Sequence, residues 1–95
     1  MIALKTRDLP KAVVPSVLKA TRLLDAVAST RDALSLAEIA AHLELPKSST
    51  LSLCTSLTQA GLLTRYEDNT YHLGAHVVHL AHAYLARTDL TREFD

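Results

Sequence analysis

The run Ser35-Leu-Ala-Glu-Ile-Ala-Ala-His-Leu-Glu-Leu-Pro-Lys-Ser-Ser-Thr50 decides how the rest of the chain is read. It opens with a serine three residues ahead of Glu38, the capping-box spacing. There the serine hydroxyl accepts the glutamate N–H and the carboxylate accepts the serine N–H. Behind that start, Leu36, Ile39, Ala40 and Leu43 fall on one face over two helical turns. The pattern breaks at Glu44-Leu45-Pro46. Proline lacks an N–H and clashes with the preceding turn, so it cannot continue a helix, but it suits the first turn of a new one. A further helix is therefore expected from about Pro46 to Ala60, closed by Gly61. Its inward face is Thr50, Leu53, Cys54 and Leu57.

Working outward, Pro15-Ser16 opens an earlier helix with Ala20, Leu23, Leu24, Val27 and Ala28 on its apolar face. It fades at the polar turn Ser29-Thr30-Arg31-Asp32. Residues 1–14 carry Lys5, Arg7, Lys11 and Pro10 without an apolar period, which reads as a flexible basic arm. On the other side, Leu62–Tyr66 and Thr70–Leu73 flank Glu67-Asp68-Asn69, a strand–turn–strand pattern. After Gly74 a last helix is expected from Ala75 to about Arg87.

Composition narrows the class. The 95 residues make one domain, 48% apolar, with four aromatic residues and two glycines. Leu, Ala and Val must form the core, which suits small helices in close contact. A single cysteine makes no internal disulfide, and no apolar run has the length of a signal peptide or a membrane span. These features predict a cytoplasmic protein that does not meet a membrane. Ten basic residues balance ten acidic ones, so net charge does not argue for a nucleic-acid partner. Local placement of charge has to carry that argument. No paired carboxylates, Gly-rich phosphate loop or Ser/His/Asp arrangement appears, and Cys54 faces inward, so no enzyme is expected and no cofactor is implied.

Two short helices joined by a tight turn, the second followed by a hairpin, is the winged helix-turn-helix order. The expected fold is mainly α: a three-helix core, a two-stranded hairpin wing, then a linker helix. In such a fold one face of the helix after Pro46 packs inward and the opposite face enters a major groove. Ser48, Leu51, Ser52 and Thr55 recur at i, i+3, i+4 and i+7 on that outward face. Solvated helix faces usually carry Lys and Glu, whereas short hydroxyls allow close approach to base edges, and Leu51 suits a thymine methyl. Lys47, at the start of that helix with Ser48 and Ser49, and Arg65, beside the hairpin turn, are the expected phosphate contacts. Ser35, at another helix N-terminus, is a further one.

The same residues resemble a known family. Ser35–Ala40, Leu45–Ser49, Ser56-Leu57 with Gly61, and Tyr71–Gly74 look like the N-terminal domain of the IclR family of bacterial regulators, and Lys19-Ala20 with Leu23-Leu24 resembles its first helix. The resemblance spans about residues 15–92. It implies a DNA-binding domain over residues 15–74, with the helix-turn-helix at about 35–57, and a linker helix over residues 75–95 that helps members dimerise. Members often carry Arg where this chain has Ser52, so that charged contact is not carried over. They also continue into a C-terminal domain that binds a small effector. The resemblance places any effector ligand in such a domain, beyond these 95 residues.

The last helix holds Val77, Val78, Leu80, Ala81, Tyr84 and Leu85, with almost no charge before Arg87. A helix apolar over so much of its circumference needs cover on more than one side. One side is expected against the domain and the other, through Val77, Leu80, Ala81 and Tyr84, against a second copy. The reading is a homodimeric transcription regulator that binds double-stranded DNA at an inverted repeat. Two alternatives stay open: a winged-helix module that packs on proteins without reading DNA, and a metal-responsive repressor using His76, His79 and His82. Three-residue steps spread those histidines over about 120° of helix, which works against a shared ion.

Overall fold

The computed structural model describes residues 10–87. Lys5 and Arg7 of the basic arm, and residues 88–95, lie outside them. Within the arm, the Val13 N–H donates to the Pro10 carbonyl at 3.0 Å, a turn that leads directly into the first helix.

The order of elements is α1 (Pro15–Ser29), β1 (Leu34–Ser35), α2 (Leu36–Leu43), α3 (Lys47–Gln59), β2 (Leu63–Arg65), β3 (Thr70–Leu73) and α4 (Ala75–Arg87). Pro15 stands in the first turn of α1, where a missing N–H costs nothing. The capping box of α2 is complete. Glu38 N–H donates to Ser35 Oγ at 3.2 Å, and Ser35 N–H donates to Glu38 Oε1 at 2.8 Å. The Ser35 N–H bond, and then the Ser35 side chain, hold the Glu38 carboxyl below its ordinary range.

The turn between α2 and α3 is made by Glu44, a non-glycine residue at φ 55°, whose N–H reaches back to α2 carbonyls. At the far end of α3, Gly61 adopts φ 79°, the left-handed conformation that the glycine after a helix supplies. The core is formed where α1, α2 and α3 meet the sheet: Leu23, Leu34, Ile39, Leu43, Cys54, Leu57, Leu63 and Tyr71. Leu24, Leu36 and Leu53 are half-buried against it. On α1, Ala26 rather than Ala28 joins this face, because the buried stripe is centred on Leu23 and Ala28 turns to solvent.

The wing has one strand more than the expected hairpin. β3 is central in the order β1-β3-β2, with both neighbours antiparallel. Leu34 pairs with Tyr71 and Ser35 with Thr70 on one side; Leu63 pairs with Leu73, Thr64 with His72 and Arg65 with Tyr71 on the other. A third strand ties the wing to the start of α2, which gives a marginal hairpin a covered edge.

The last helix begins where expected but is not packed as expected. No residue of α4 is buried, and only Val77 is half-buried. Its first turn is tied to the domain by the His76 N–H donating to the Gly61 carbonyl at 3.0 Å, and beyond it the helix projects. The domain therefore does not cover one side of α4. Close packing at this joint demands a glycine: a Cβ on Gly74 would lie 2.2 Å from the Gly61 carbonyl oxygen. No helix among the described residues is long and apolar enough to cross a membrane.

Candidate nucleic-acid interface

α3 presents the surface that the spacing of its residues foretold. Thr50, Cys54 and Leu57 are buried, while Lys47, Ser48, Ser49, Leu51, Ser52 and Thr55 are exposed. Leu51 leaves 47% of its surface open in the middle of this hydroxyl-rich face. The N-terminus of α3 has no side-chain cap, since Pro46 occupies that place, so the N–H groups of the first turn remain without a side-chain partner. Lys47 stands at that same end.

The hydroxyls of α3 fall into two sets. Thr50, Ser52 and Thr58 donate to the carbonyls of Pro46, Ser48 and Cys54, so their protons stay within the helix. Ser48, Ser49, Thr55 and Ser56 make no such bond among the described residues and keep both donor and acceptor capacity for an incoming group. Ser52 can still accept, which suits a base amino group but not a phosphate.

Arg65 lies where β2 faces α3. It pairs with the inward-facing Tyr71, so its side chain sits on the helix side of the sheet rather than on the outer face of the wing. Its guanidinium donates to Asn69 Oδ1 at 2.6 Å, and Asn69 holds a left-handed turn conformation at φ 65°. Asp68 accepts from the N–H and the hydroxyl of Thr70, and these bonds, the hydroxyl first, hold its carboxyl below the ordinary range. The Thr70 hydroxyl also meets His72 Nε2 at 3.0 Å, and Tyr66 stacks on the His72 ring with centroids 3.6 Å apart. The wing is thus a braced turn that aims Arg65 toward α3.

Between α3 and the wing runs an open cleft of about 340 Å³, lined by Leu51, Thr55, Thr58, Gln59, Arg65 and Tyr71. Leu51 and Thr55 of α3 and Arg65 of β2 are brought together here. Gln59, Thr58 and Tyr71 escaped the sequence reading. Tyr71 is a buried strand residue on its face, and Gln59 closes a helix whose outward repeat weakens after Thr55.

Ser35 is placed apart from this group. Its hydroxyl accepts from α2, and the Glu38 carboxylate stands at the same helix end. The projecting α4 carries Leu80, Ala81 and Tyr84 exposed, with Val77 half-buried. Val14, Val17 and Leu18 form a second exposed apolar group at the start of α1. On α4, His76 and His79 lie with ring centroids 5.5 Å apart, and no group of three or more His, Cys, Asp or Glu among the described residues is placed to hold a metal ion. Cys54 is fully buried, and desolvation pushes its thiol up to about 11, far from a reactive thiolate.

Residues 16–67 match the model of the IclR helix-turn-helix domain. Solved structures agree. The Agobacterium tumefaciens repressor BlcR is 36% identical, with a TM-score of 0.77, over 86% of this chain and 33% of its own. An IclR transcriptional regulator from Alicyclobacillus acidocaldarius is 26% identical, with a TM-score of 0.75, over 81% and 32%. Pseudomonas aeruginosa HmgR is 28% identical, with a TM-score of 0.69, over 83% and 33%. This chain therefore spans about one third of the length of these relatives. No curated protein matches the sequence. With the family model covering more than half of the chain and the same fold found in its relatives, this protein belongs to the IclR family, and its residues 16–67 match that family's helix-turn-helix domain.

Proposed function

We propose that this domain binds double-stranded DNA in a sequence-specific way, as a homodimer, and thereby regulates transcription. The observation that carries the reading is the exposed hydroxyl-rich face of α3 with Leu51 at its centre, beside an uncapped helix N-terminus and a cleft that holds Arg65. Ser48, Leu51, Ser52 and Thr55 meet base edges. Lys47, Ser49 and Arg65 meet phosphates, which fix position without reading sequence. Ser35 contributes at most its remaining hydroxyl proton, because the neighbouring Glu38 carboxylate repels a phosphate.

The dimer is proposed through α4, whose Val77, Leu80, Ala81 and Tyr84 meet a second copy. Val14, Val17 and Leu18 offer it further apolar area. Two recognition helices joined this way reach major grooves about 34 Å apart, one helical turn, on an approximate inverted repeat.

Selection of bound fragments from random duplex DNA tests the reading, followed by titration of variants. Leu51→Ala should lose about 1 kcal/mol of discrimination between selected and random sequences. Arg65→Ala should weaken both alike and reduce the salt slope by about 0.9, one phosphate's share. Equal loss on both sequences for Leu51→Ala would remove Leu51 from base reading. Failure to enrich any sequence would refute specific recognition.

A further inference from the structure

We propose that the cleft between α3 and the wing is a seat for one DNA backbone phosphate, with the Tyr71 hydroxyl as a donor at its floor. The inference rests on the DNA-binding reading above and adds a contact that the exposed residues of α3 do not suggest. Tyr71 is 5% exposed, its ring lies in the core cluster, and yet it lines the cleft. Among the described residues its hydroxyl has no hydrogen-bond partner, and it is not a sealed, unsatisfied atom either. The packed ring holds that hydroxyl at a fixed point in a residue that lines the cleft.

The walls suit the same ligand. Arg65 presents a guanidinium that Asn69 orients at 2.6 Å and that keeps further N–H groups. Gln59 adds a neutral donor from α3, and Leu51, Thr55 and Thr58 complete the lining. Among the described residues, no Asp or Glu lines the cleft. Asp68, the acidic residue nearest in sequence to Arg65 after Glu67, is engaged by Thr70. A volume of about 340 Å³ equals roughly ten waters, room for a phosphodiester group and its remaining hydration. The lining is charged on one side, neutral on the others, and open to the surface that the outward face of α3 shares. A backbone phosphate is the anion that such a surface meets whenever α3 sits in a groove, and a rigid tyrosine donor would fix how deeply the helix enters.

The test uses Tyr71→Phe in the full chain, which keeps the ring and its packing and removes only the hydroxyl. Affinity is measured on a selected duplex and on a random duplex of about three helical turns, over a salt series and with the melting temperature recorded. The expected result is a loss of about tenfold on both duplexes, with an unchanged salt slope, because the lost donor is neutral. Neutral methylphosphonate linkages, placed one at a time, should at one position weaken the wild type more than Tyr71→Phe, which keeps only the Arg65 side of that contact. Gln59→Ala, on the exposed wall, should lose affinity in the same sequence-independent way even if Tyr71→Phe disturbs the core. Wild-type binding with unchanged affinity in both variants overturns the seat and leaves the DNA-binding reading standing. A loss confined to the selected duplex makes Tyr71 a base contact and overturns it as well. Titration with inorganic phosphate that shifts the amide signals of Arg65 and Tyr71, beside unaltered duplex affinity of the variants, assigns the cleft to a free anion instead. A wild type that binds no duplex removes both readings together.

Discussion

Single residues in this domain act through bonds that pH can test. Glu38 receives the Ser35 N–H and sits at the start of α2, where the helix dipole also favours a negative charge. Its folded acidity is stronger than its ordinary value of 4.5, so folding binds fewer protons than the unfolded chain does at that carboxyl. The stability it adds is present above pH 4.5 and is lost as pH falls through the lowered folded value. Glu38→Gln should therefore melt below the wild type at neutral pH, and the gap should close under more acidic conditions than pH 4.5. Melting curves at a series of pH values check this. A gap that stays constant into acid would mean that the carboxylate charge contributes nothing. Cys54 is the opposite case, a titratable group that burial removes from chemistry: its thiol serves as a small apolar filler.

Between elements, the joint from α3 through the wing to α4 depends on two glycines with different roles. Gly61 supplies a left-handed φ, and Gly74 supplies absence of a side chain. At Gly74 the obstacle is backbone, the Gly61 carbonyl at 2.2 Å from an added Cβ, with the Leu63 carbonyl at 3.0 Å. Backbone held by the Gly74–Leu62 and His76–Gly61 hydrogen bonds cannot yield cheaply. Gly74→Ala should cost about 3 kcal/mol, and so lower the melting temperature by about 10 °C or more. Thermal denaturation followed by circular dichroism measures it, and a shift of only a degree or two would show that the joint is looser than its hydrogen bonds indicate.

For the molecule as a whole, the division of labour between a packed domain and a bare helix makes assembly and folding separable. α4 contributes no buried residue, so polar substitution along it should leave the three-helix core and the sheet intact. Leu80→Glu together with Tyr84→Glu should give a folded monomer whose melting temperature stays within a few degrees of the wild type's. Its affinity for a full inverted repeat should fall by roughly a hundredfold or more, since two linked contacts become one. Analytical ultracentrifugation beside a binding titration decides it. A wild-type monomer that binds a half-site as tightly as an inverted repeat would overturn dimeric recognition through α4.

Much of this architecture could be read from residues a few positions apart. The Ser35–Glu38 box, the break at Pro46, the glycine after α3 and the apolar stripe of α2 are bonds and periods that close within a turn or two of chain. The outward set Ser48, Leu51, Ser52 and Thr55 was legible for the same reason, as the complement of an inward stripe. Other features depend on pairs distant in sequence, and no local pattern encodes them. A two-residue strand such as Leu34-Ser35 shows no alternation, and only pairing with Tyr71 and Thr70 makes it a strand. The side of the wing on which Arg65 lies follows from its register with Tyr71, where a shift of one residue would turn it to the other face. The requirement for glycine at position 74 comes from a carbonyl 13 residues earlier. That Tyr71 lines one cleft with Leu51 and Arg65 likewise follows only from how α3 and the sheet pack. Short-range hydrogen bonds and helical periodicity set the elements, and long-range packing alone determined which polar atoms were left facing the same opening.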